Sequence, residues 1–181
     1  MSVGEPTIAN SVSVSVVLQR QDVTSGRWSS VRWELLGVVV GEPLAAHDAG
    51  RRLIHADTAY RRYLWPGYTL TLHRDSAEDY WHNLMGVNPL VFAVCREDEN
   101  REPHPFLVTV DGDEATSFSE ADDLVLSAPM PAELYKRVEN FVVHYYRPQQ
   151  PKKRQRKNWT EESASAGKAS RNRHARADKS A

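Results

Sequence analysis

The aliphatic and aromatic residues of this 181-residue chain all but end at Tyr146, and the sign of its charge changes at the same place. Residues 1–146 carry 12 Lys and Arg against 21 Asp and Glu, whereas residues 147–181 carry 11 against 3. The formal net charge of -1 is therefore the near-cancellation of an acidic body and a basic tail. A packed core needs apolar surface to offset the entropy lost when a chain is ordered, and the tail does not have it. The resulting division is a loose polar leader over residues 1–11, a folded domain over 12–147 and a disordered basic tail over 148–181. A domain of this size buries roughly two thirds of its unfolded surface and needs no disulfide.

The period of the apolar positions sets the fold class. Val12, Val14 and Val16 alternate with Ser11, Ser13 and Ser15, as in a strand with one buried face, and the pattern stops at Gln19-Arg20-Gln21-Asp22. A second strand over residues 28–40 is dense in β-branched and aromatic side chains, and Thr24-Ser25-Gly26 before it reads as a hairpin or bulged turn. Residues 51–57 are a short strand, and residues 60–65 and 68–73 flank Pro66-Gly67, a dipeptide suited to a type II turn. Asp75 and Glu78 open a helix containing Tyr80, Trp81, Leu84 and Met85, which Gly86 ends. Strands over 90–95 and 106–110 enclose an exposed acidic loop at 96–105. A short helix at 117–123 and a strand at 124–126 follow. After Pro131, the residues Leu134, Val138, Phe141, Val142 and Tyr145 recur at helical spacing until Arg147-Pro148. These elements predict an α+β fold, a mainly antiparallel sheet able to curl toward a barrel, packed by the two helices beginning near Asp75 and Pro131.

Chemistry-bearing patterns are sparse. There is no phosphate-binding glycine loop, no dinucleotide fingerprint and no nucleophile elbow, which disfavours the common nucleotide-hydrolysing, dinucleotide-redox and serine-hydrolase mechanisms. The seven histidines show no metal-ligand spacing, so neither a metal site nor a cofactor is expected. The one cysteine, Cys95, fits a reducing, cytoplasmic setting. The first residues have no signal-peptide pattern, and no stretch approaches a membrane span, so no membrane partner is expected. His55 and Asp57 have the spacing that lets a carboxylate orient an imidazole, but no nucleophile accompanies them. A surface pair is the simpler reading, and no residue is assigned a catalytic role.

Binding residues are easier to name. Trp28 and Trp33 lie five apart, on opposite faces of a regular strand. Trp33 leads into the apolar run toward Val40 and reads as core; Trp28, between Arg27 and Arg32, reads as a partner contact. Arg61, Arg62, Tyr63 and Trp65 read as an ordinary strand and turn. In the tail, Lys152, Lys153, Arg154, Arg156 and Lys157 precede Trp159. That cluster suits acidic protein partners, or nucleic-acid phosphates with the indole stacked on a base, and equally a merely solubilising tail.

Taken together, Val16-Val17-Leu18-Gln19-Arg20, the Arg27-Trp28 to Arg32-Trp33 segment, the Pro129-Met130-Pro131 helix ending in Phe141-Val142, and Pro151-Lys152-Lys153-Arg154-Gln155-Arg156 resemble a bacterial domain-of-unknown-function family. Its members are small proteins encoded beside formate dehydrogenase genes. The likeness covers most of residues 12–159. It implies a non-enzymatic accessory role for a molybdenum- or tungsten-dependent formate dehydrogenase: maturation, cofactor delivery or subunit assembly, through contacts with an enzyme subunit or a maturation factor. Similar proteins are sometimes labelled as the nucleotidyltransferase that attaches a guanine nucleotide to the molybdenum cofactor. Such enzymes follow their first strand with a glycine-rich loop containing Arg and Lys, and here that place holds Gln19-Arg20-Gln21-Asp22.

Overall fold

The computed structural model describes residues 9–41 and 50–148. Ten elements follow in order: β1 (Ser11–Ser25), β2 (Trp28–Val40), β3 (Arg52–Ala56), β4 (Tyr60–Thr71), α1 (Ala77–Met85), β5 (Leu90–Glu97), β6 (Pro103–Thr109), α2 (Gly112–Glu120), β7 (Leu124–Pro129) and α3 (Ala132–Tyr145). They form an α+β fold with two antiparallel sheets, ordered β2-β1-β4-β3 and β6-β5-β7. The tail residues 149–181 and the leader residues 1–8 lie outside the described residues.

The Val/Ser alternation places Val12, Val14, Val16 and Leu18 in the core, joined by Leu35 and Val38 from β2 and by Tyr63, Trp65 and Leu70 from β4. The second sheet presents Val91, Ala93 and Cys95 of β5 to the same core, with Val108 and Ala128 beside them. β2 lies against β7, and β4 against β6. Tyr68 ties the sheets together by donating its hydroxyl to the Pro105 carbonyl at 2.7 Å. Tyr80 of α1 meets Phe141 of α3 edge-on, with centroids 6.1 Å apart, and its hydroxyl accepts from the His73 backbone N–H.

The sheet does not close into a barrel. After β4 the chain leaves through a 3₁₀ turn (Arg74–Ser76) into α1 and starts a separate sheet, so the core is closed by layering. Three further expectations give way. β1 does not stop at Gln19, because its polar second half pairs with β2 as far as Ser25 through backbone bonds that need no apolar side chain. Pro66-Gly67 is not a turn but a bulge inside the single strand β4, opposite Ser15. β3 pairs only with residues 61–64, so Pro66 lies beyond that partner, where a missing N–H is tolerated, and Gly67 supplies the φ of 88°. The helix α2 spans Gly112–Glu120, not 117–123, because Asp111 caps it, accepting from the N–H groups of Asp113 and Glu114 at 3.0 Å each. No helix among the described residues is long and apolar enough to cross a membrane.

Candidate partner-binding surface

The β1–β2 hairpin extends past the core. Gly26, at φ 62°, lets the chain reverse, and the register pairs Ser25 with Trp28. Residues 26–32 are all exposed, and Trp28 keeps 83% of its surface in solvent. The two tryptophans divide by strand alternation. Trp33 turns to the core side, against Tyr63 at 5.8 Å and Trp65 at 6.4 Å between centroids. Trp28 shares the opposite face with Arg32.

Register assembles that outer face across four strands. Arg32 of β2 stands opposite Gln21 of β1, which stands opposite Tyr60 of β4. In the next row Glu34, Gln19 and Arg62 line up, with His55 of β3 beyond them, and Arg52 of β3 pairs with Leu64. Arg62 is oriented from two directions: its Nε donates to Gln19 Oε1 at 3.0 Å, and its guanidinium lies 4.6 Å from the Tyr60 ring centre. His55 stacks on the same ring at 5.2 Å. Sequence reasoning named Arg27, Trp28 and Arg32, read Arg62 as part of an ordinary strand and turn, and missed Arg52; both arginines are adjacent to that set only through strand pairing. The remaining named residues, Lys152, Lys153, Arg154, Arg156, Lys157 and Trp159, lie outside the described residues.

The His55–Asp57 pair is present, with Nε2 and Oδ2 3.3 Å apart. Its geometry is that of a turn. Asp57 Oδ1 accepts from the backbone N–H groups of Ala59 at 2.7 Å and Tyr60 at 2.8 Å, closing the β3–β4 connection. These bonds, Tyr60 first and then Ala59, hold the Asp57 carboxyl below the usual carboxylate range, with His55 adding to the effect.

Elsewhere, an open groove is lined by Glu78, Asp79, His82, Asn83, Phe92 and Asp113. Partial burial, and then the charges of Asp111, Asp113 and Glu78, push the Asp79 carboxyl above its ordinary value. Among the described residues no three His, Cys, Asp or Glu side chains are placed to hold a metal ion.

The family model described as "Protein of unknown function (DUF3305)" matches residues 13–156. No curated protein and no solved structure matches the chain.

Proposed function

We infer, from the premise that the chain belongs to the DUF3305 family of proteins of unknown function, that it is a non-enzymatic accessory protein acting through protein–protein contacts. Its client in this reading is a molybdenum- or tungsten-dependent formate dehydrogenase, met through one of its subunits or maturation factors. The observation that supports a binding role is Trp28, an indole 83% exposed at a hairpin tip between two exposed arginines. Trp and Arg dominate the energetics of protein interfaces, and an apolar ring held in water gains free energy when a partner covers it. In the pair that most resembles catalytic machinery, Asp57 is engaged by the turn it stabilises and His55 stacks on Tyr60. The choice of client, and of maturation, cofactor delivery or assembly as the task, rests on the sequence resemblance over residues 12–159.

Affinity purification from the native host, with the full chain and with Trp28→Ser, tests the reading. The full chain should enrich a dehydrogenase subunit or maturation factor, and Trp28→Ser should retain at least about tenfold less of it. A full chain that enriches neither a dehydrogenase subunit nor a maturation factor removes the reading.

A further inference from the structure

We propose that the outer face of the β2-β1-β4-β3 sheet docks an acidic polypeptide segment of a partner protein. This deepens the accessory reading and rests on it. The folded part of the chain is itself bipolar. Residues 9–41 and 50–73, which hold the four-stranded sheet, contain seven Arg, no Lys and three Asp or Glu, whereas residues 74–148 contain six Lys or Arg and fifteen Asp or Glu. The net acidity of the body therefore conceals a basic sheet, the one that carries Trp28, and by strand alternation its outer face holds Arg32, Arg52 and Arg62 against Glu34.

The basic residues there are all arginines, whose planar fork suits carboxylates. Arg27, Arg32 and Arg52 are exposed and form no ion pair among the described residues. Arg62 is preoriented by Gln19 and Tyr60, and beyond its Nε bond its guanidinium has no acceptor among the described residues. Arg32, Arg62 and Arg52 sit on β2, β4 and β3, three strand spacings across the sheet and, by register, four residues along it, so they lie on a diagonal of roughly 20 Å, close to the length of six extended residues. An acidic segment lying along that diagonal can meet all three and, continued past Arg32 by about four residues toward the hairpin tip, cover Trp28 with an apolar side chain.

The rings favour polypeptide over nucleic acid. Stacked binding of a single strand needs successive free ring faces, but Tyr60 already carries His55 and the Arg62 guanidinium. Trp28 is left as one free indole among arginines, the composition of a protein hot spot.

The test uses the full chain with Lys152, Lys153, Arg154, Arg156 and Lys157 changed to Gln, so that tail cations do not compete for the probes. Fluorescence anisotropy follows a labelled short peptide of Glu, Asp and Leu, its Gln/Asn/Leu counterpart, and oligo(dT). The acidic peptide should bind and its counterpart should not. Reversing Arg32, Arg52 and Arg62 to Glu should weaken the acidic peptide at least about tenfold, with circular dichroism showing an intact fold. If that variant does not fold, the single changes Arg32→Gln and Arg52→Gln should each weaken it about threefold. Peptide affinity unchanged by these substitutions overturns the proposal. So does oligo(dT) binding more tightly and being lost in the same variants, or a dimer seen by light scattering that the same substitutions dissolve, which would assign the face to a second copy. Peptide binding at this face in a protein whose pull-down enriches neither a dehydrogenase subunit nor a maturation factor would leave the surface standing and remove only the client.

Discussion

Cys95 lies in the middle of β5 with none of its surface in water, and burial pushes its thiol up to about 12. Tyr68, half-buried between the sheets, is likewise pushed up to about 12, by burial first and then by Cys95. Each group holds its proton in the folded chain to a higher pH than in the unfolded one, where the values are 9.0 and 10.0. The stability linked to them is complete below 9.0 and is lost as the pH rises toward about 12. Urea midpoints measured through this window should fall with pH, and Cys95→Val should flatten the first part of the decline. At about pH 8 a thiol reagent should label the native chain slowly and the urea-unfolded chain at once. Position Cys95 in an apolar run was legible in the sequence as core. Its nearness to Tyr68 was not, because the residues belong to different sheets.

Two polar side chains hold the helical layer at the level of single elements. Asp111 is 5% exposed and caps α2, while Asn83 of α1 donates to the carbonyls of Leu90 at 2.8 Å and Val110 at 2.7 Å and accepts from the Leu90 N–H at 2.9 Å. Asp111→Ala should cost about 1–2 kcal/mol in urea denaturation, and Asp111→Asn much less because its oxygen still accepts. Asn83→Ala should cost about 2 kcal/mol, since it leaves several backbone groups unpartnered where β5 begins and β6 ends. The α2 cap was visible in the sequence as Asp111 three residues before Glu114, a signal overlooked in favour of the later polar stretch. Asn83 gave no comparable signal. Its partners are backbone groups at residues 90 and 110, which carry no side-chain signature. β1 shows the same limit: alternation located its buried half, but its polar half is held by the neighbouring strand.

At the scale of the whole molecule, the connected core among the described residues runs from Val12 to Val142, and the composition of residues 149–181 offers it little apolar surface. A chain ended after Pro148 should therefore melt within about 2 °C of the full chain, because a change well under 1 kcal/mol moves the midpoint of a domain this size by no more than that. A larger loss, read by calorimetry, would show that residues 149–181 stabilise the body. The charge division at Tyr146 turns out to be the coarser of two. A second, inside the folded part, separates an arginine-bearing sheet from a carboxylate-rich layer of helices and strands. Local period, turn chemistry and composition were enough to give the α+β class, a turn at Gly26, the buried stripe of α3 and the acid-to-base change at Tyr146. That Trp28, Arg32, Arg52 and Arg62 share one face, and that two sheets layer instead of one closing, emerges in the folded chain alone. Both outcomes follow from strand register and partner choice, which are set by pairing between distant segments and leave no mark at any single position.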